Sequence, residues 1–143
     1  MLKRKFYDKL LKWKSSHRQE CLLVKGARQI GKTFIIDYFG KTNYTSYLYI
    51  NFIFNKDAAR IFGDSLEADD IYKAISAYYP KFRLVPGETL VFLDEIQSCP
   101  RARTALKSLA IDGKIDVIAS GSLLGLNFLD DGLEKDRAQE SIP

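Results

Sequence analysis

The chain has 143 residues, enough for one domain with a real core, and 46% of them are apolar, which excludes a disordered chain. No apolar run approaches the ~18–20 residues that span a bilayer, and the basic N-terminus lacks the apolar stretch of a signal peptide, so a cytoplasmic protein is expected. Net charge is +4 but divided, with ten Lys/Arg against two acids in residues 1–32 and twelve against sixteen in residues 33–143, while the distant Cys21 and Cys99 and the lone His17 give no zinc or disulfide pattern.

In chain order, residues 2–14 predict an amphipathic helix, with Leu2, Phe6, Leu10 and Trp13 on one stripe and lysines on the other face. A polar break covers residues 15–20. Cys21-Leu22-Leu23-Val24 is a short continuous apolar run, the pattern of a buried parallel strand. Residues 34–39 read as helix, with Gly40 as its C-terminal cap. Residues 47–52 make a second strand and 58–62 a short helix. Asp64 and Glu67 have capping-box spacing and open a helix to about Tyr79, stopped by Pro80. Pro86-Gly87 is a turn. Leu90-Val91-Phe92-Leu93 is a third strand that ends on Asp94. Ala102, Ala105, Leu106, Leu109 and Ala110 recur at the spacing of a helix's buried face, and Asp112-Gly113 turns the chain. Residues 115–119 form a fourth strand that runs into Ser120-Gly121-Ser122. Strands alternating with helices specify an α/β fold, a three-layer sandwich around a parallel sheet.

Gly26-Ala27-Arg28-Gln29-Ile30-Gly31-Lys32-Thr33 fits the phosphate-loop pattern GxxxxGK[ST], the Walker A motif, between a buried strand and a helix. The glycines let successive backbone N–H groups turn inward onto phosphate oxygens. The helix aims its positive end at the same anion. Lys32 then reaches the β- and γ-phosphates, and the Thr33 hydroxyl ligates magnesium. Arg28 adds a charge that either touches a phosphate or partner or stays solvated.

Asp94-Glu95 ends the third strand 62 residues after Lys32, in the place of a Walker B motif. A carboxylate at the end of a buried strand needs a partner, and magnesium supplies one. Asp94 is expected to hold the ion through its water shell and Glu95 to activate the attacking water. A guanine-reading NKxD is missing: Asn55-Lys56-Asp57 lacks the intervening residue. The acidic pair marks instead the ATPase branch, with an extra strand between the loop strand and the acidic strand. Residues 115–119 are that strand. Ser120 at its end, or Ser122, is the candidate sensor of water or γ-phosphate, and Arg101 or Arg103 the candidate arginine finger to a neighbouring subunit.

These residues resemble a family. GARQ-x-GKT, Leu93-Asp94-Glu95-Ile96-Gln97 with Pro100 close behind, and Ala119-Ser120-Gly121-Ser122-Leu123-Leu124-Gly125 are similar to prokaryotic AAA-superfamily ATPases in which the ATPase core precedes a C-terminal domain of unknown function. The likeness runs from about residue 3 to 125. It implies ATP, magnesium and strand order 5-1-4-3-2. Family members are about three times as long, so the resemblance implies a core cut short before its fifth strand.

The reading divides the chain into a basic helix at 1–20, a P-loop ATPase core at 21–125 and a charged, poorly ordered tail at 126–143. Residues 130–140 are almost wholly polar, so no fifth strand is expected and strand 21–25 should carry an unpaired edge that favours self-association. Two functions compete: an ATP hydrolase, and a remnant that binds nucleotide without turning over. A nucleic-acid module built on the first helix is disfavoured, because that helix has a plain core-facing stripe and its lysines serve as the solvated face.

Overall fold

The computed structural model describes residues 2–16, 20–25, 30–122 and 133–137, the last as backbone. Helix α1 (Leu2–Ser15) is followed by β1 (Glu20–Lys25), α2 (Ile30–Asn43) and β2 (Ser46–Asn51). A 3-10 helix (Lys56–Phe62) leads to α3 (Ala68–Tyr78). Then come β3 (Thr89–Asp94), a 3-10 turn (Ile96–Ser98), α4 (Pro100–Asp112), β4 (Asp116–Gly121) and β5 (Leu133–Arg137).

The sheet order is β2-β3-β4-β1-β5. The first four strands run parallel, and β4 lies between β1 and β3 as the acidic pair required. Strand alternation divides the core in two. Leu22, Val24, Leu90, Phe92 and Ile118 face α1 and α2, where Phe6, Leu10, Trp13, Ile36 and Phe39 cover them. Cys21, Leu23, Val91, Leu93, Val117 and Ala119 face the opposite layer, which includes Ile71 and Ile75 of α3 and Ala102, Ala105, Leu106 and Leu109 of α4. Central strands buried on both faces explain the unbroken apolar runs. The stripe of α1 packs as read: Phe6, Leu10 and Trp13 are buried, while Lys3, Lys5 and Lys12 are exposed.

Three expectations are corrected. First, β1 has no free edge. Leu133–Arg137 pairs with it antiparallel, from Glu20 opposite Arg137 to Val24 opposite Leu133. This fills the fifth position of the order 5-1-4-3-2 from within the segment read as a charged tail. Backbone pairing at a sheet edge does not require an apolar run, and charged residues suit an edge strand. The argument for self-association through β1 therefore falls.

Second, Gly40 is not a cap. It lies inside α2, which continues to Asn43. A Cβ on Gly40 would stand 2.4 Å from the Tyr47 ring and 3.0 Å from Leu90 Cδ2, so the glycine allows helix and sheet to approach closely. Third, α3 begins at Ala68 with Glu67 as its N-cap and no side-chain capping bond. The Glu67 N–H donates instead to Ser65 Oγ at 3.0 Å, an alternative local bond that displaces the capping box. Asp69 and Asp70 occupy the first turn, where their charge favours the helix dipole. Gly113, at φ 73°, closes α4 as the turn reading required.

Candidate active site

Parallel pairing aligns the C-terminal ends of the strands. Lys25 lies opposite Gly121, Val24 opposite Ser120, and Asn51 opposite Asp94. In open α/β sheets this end holds the ligand. Of the phosphate loop, Gly26, Ala27, Arg28 and Gln29 lie outside the described residues, and Ile30 is described as backbone only. Gly31 and Lys32 stand in the first turn of α2, where backbone N–H groups have no partner within the helix, and Thr33 follows them. His17 and the residues 123–125 that carried part of the resemblance also lie outside the described residues.

Lys32 donates from Nζ to the Lys25 carbonyl at 3.2 Å, and its ammonium is 5.8 Å from the centre of the Phe6 ring. Burial, then Lys25, then Lys9 lower its pKa from the ordinary value. A cation held by a carbonyl and a ring face, with like charges near it, is one that an anion would relieve.

Asp94 is buried, and its carboxylate is held from three sides. Oδ1 accepts from Ser120 Oγ at 2.6 Å and from the Glu95 N–H at 2.9 Å, and Oδ2 accepts from the Tyr49 hydroxyl at 2.6 Å. Burial, reinforced by the bond to Asp94, pushes the Tyr49 hydroxyl up to about 12, so it stays a donor. Asn51 Nδ2 donates to the Tyr49 oxygen at 3.2 Å. A carboxylate offers about four acceptor positions, so three donors leave one for a water molecule. That donor set fits a magnesium ion held through its hydration shell. Among the described residues no cluster of three or more His, Cys, Asp or Glu side chains forms a metal cage, and magnesium bound with phosphates needs none.

Glu95 adopts φ 57° and ψ 46°, and is the single non-glycine residue with positive φ among the described residues. The left-handed conformation costs about 1–2 kcal/mol for a residue with a Cβ. Its side chain accepts from Gln97 Nε2 at 2.8 Å, and Gln97 Oε1 accepts the Ser122 N–H at 3.1 Å. Ser120 is fully buried with its hydroxyl given to Asp94, and Ser122 is half-buried. Arg101 donates from Nε to the Phe62 carbonyl at 2.6 Å and from Nη2 to that of Asp64 at 2.7 Å, which ties α4 to the end of the 3-10 helix and the residues after it. Arg103 is half-buried.

The structure thus brings Asp94, Glu95 and Ser120 together at the strand ends, with Lys32 bonded to the end of β1. Sequence reasoning passed over Tyr49 and gave no role to Gln97. Tyr49 reads as an ordinary aromatic of a strand, and only its register opposite Phe92, two residues before Asp94, gives it away. A family model described as AAA domain matches residues 18–132. No curated protein and no solved structure gave a match.

Proposed function

The chain belongs to the AAA domain family, and on that premise we propose that it binds ATP with magnesium and hydrolyses it. Such a domain is a nucleotide-binding P-loop ATPase domain. The family supports the nucleotide; the residue roles rest on the motifs and on the geometry at the strand ends.

In this reading the loop Gly26, Ala27, Arg28, Gln29, Ile30 and Gly31 wraps the phosphates with its backbone N–H groups. Lys32 leaves the Lys25 carbonyl for the β- and γ-phosphate oxygens. The Thr33 hydroxyl and, through water, Asp94 would hold magnesium, which neutralises phosphate charge when bound. Ser120 and Tyr49 fix the Asp94 carboxylate so that its remaining acceptor position has one direction. Glu95 accepts a proton from the attacking water with the carboxylate oxygen that Gln97 does not occupy. Ser120 acts through Asp94 rather than by touching the γ-phosphate itself, because its hydroxyl is buried and committed.

The observation that carries the reading is the Asp94 carboxylate: buried, held by three donors, and bonded to Ser120 on β4, the strand that pairs with the one leading into the phosphate loop. Glu95→Gln keeps the shape of the side chain and removes its basicity. It is expected to bind Mg-ATP with parent affinity and to lose at least about 100-fold in hydrolysis rate, in line with a positioned general base. A Glu95→Gln protein that hydrolyses at the parent rate would remove Glu95 from the mechanism.

A further inference from the structure

We propose that Gln97 is a positioning residue for Glu95 and links that carboxylate to the end of β4. The inference rests on Glu95 being the base, as argued above. Its grounds are geometric. The backbone N–H of Ser122 can only donate, so Gln97 must present its carbonyl oxygen there, 3.1 Å away. Its amide NH2 is then left for Glu95, and it stands 2.8 Å from Oε1. One side chain thus bridges a strained left-handed residue after β3 and the residue after β4.

Gly121 shows that the space is shaped for this bridge. A Cβ on Gly121 would come within 2.3 Å of Gln97 Oε1, while its next contact, Ile96 N, is 3.4 Å away. A side chain there would evict the Gln97 amide before it disturbed the backbone. The bridge has two consequences. It occupies Glu95 Oε1, so Oε2 is the oxygen left to take the proton. It also makes the orientation of Glu95 depend on where the end of β4 sits, and that end carries Ser120, the partner of Asp94. Both carboxylates are therefore tied to one strand terminus, Asp94 through Ser120 and Glu95 through Gln97.

Two measurements test this. In the nucleotide-free protein, amide hydrogen exchange followed by NMR reads the bridge itself. Gln97→Ala and Gly121→Ala should each speed exchange at Ser122 by at least about 10-fold, and Glu95→Ala should speed it too, while the Phe92 amide at the centre of β3 stays protected. Unchanged exchange at Ser122 in Gln97→Ala would overturn the proposal. In single-turnover hydrolysis of Mg-ATP, Gln97→Ala and Gly121→Ala should slow the chemical step about 10-fold or more, with ATP affinity within about twofold of the parent. Adding Gln97→Ala to Glu95→Gln should cost nothing further, because both changes act through one carboxylate. A parent-like rate in Gln97→Ala, or an additive loss in the double variant, contradicts the role. Hydrolysis at the parent rate by Glu95→Gln would instead dismiss Glu95 as the base, and the exchange data alone would then judge the bridge.

Discussion

At the scale of single residues, the informative groups are those whose surroundings are unfinished. Lys32 is the clearest. Burial, Lys25 and Lys9 all disfavour its charge in the nucleotide-free protein. Its folded pKa lies below the ordinary 10.5, so its charge opposes folding at neutral pH, and stability rises with pH only as the ammonium deprotonates. Lys32→Ala is therefore expected to leave the melting temperature of the nucleotide-free protein unchanged or raised, and to abolish the further rise that Mg-ATP gives the parent. A lower melting temperature without nucleotide would show that Lys32 has a structural role. Asp94 is the opposite case, a carboxylate already satisfied by Ser120, Tyr49 and its neighbour's N–H. Lys32 and Asp94 were legible in the sequence because each sits in a short motif. The roles of Tyr49 and Gln97 were not: Tyr49 meets Asp94, 45 residues away, only through strand register, and Gln97, though two residues from Glu95, is joined to Ser122, 25 residues away, only by the folded sheet.

At the scale of elements, the seam between α2 and the sheet is tight at one point. Tyr47 cannot simply swing away from Gly40, because its hydroxyl is bonded to Asp37 Oδ1 at 2.8 Å. Alanine is the better helix former by about 1 kcal/mol, and overpacking costs about 1–3 kcal/mol. The steric effect wins. Gly40→Ala should lower stability by about 1–2 kcal/mol in urea unfolding, and a gain in stability would show that Gly40 is placed there for flexibility alone. The same glycine misled the sequence reading, since a glycine after an apolar helical run looks alike whether it caps the helix or admits a neighbour.

A second element-level test concerns Asp116 at the start of β4, which accepts from the Tyr44 hydroxyl at 2.6 Å. Burial raises its carboxyl pKa above the ordinary 3.8, against the opposing effects of Tyr44 and Lys14. The folded state then holds the proton to higher pH than the unfolded chain. Stability from this group is full below pH 3.8 and falls as pH rises through the raised folded value. Asp116→Asn keeps an acceptor for Tyr44 and removes the buried charge. Urea unfolding should find it at least as stable as the parent at pH 7, with the difference shrinking toward pH 3. A loss of more than about 1 kcal/mol at pH 7 would mean that the charged bond to Tyr44 outweighs burial.

At the scale of the whole molecule, the parallel sheet follows from apolar runs too short for helices and from turn residues between them. The helix layers follow from stripes such as Ala102, Ala105, Leu106 and Leu109, all buried. What escaped was β5. Its residues, Leu133-Glu134-Lys135-Asp136-Arg137, have no apolar run, and an edge strand is held by backbone bonds that composition does not display. Its presence makes β1 an interior strand, paired on both sides from Leu22 to Val24, just before the phosphate loop.

In the proposed function the strand ends bind Mg-ATP through Lys32, and Asp94 is responsible for the magnesium. Equilibrium titration with a fluorescent ATP analogue, with magnesium and with chelator, separates the two roles. The parent should show saturable, magnesium-strengthened binding, Lys32→Ala none, and Asp94→Asn residual binding that magnesium no longer strengthens. Equal affinity of parent and Lys32→Ala for the analogue would contradict the role of Lys32.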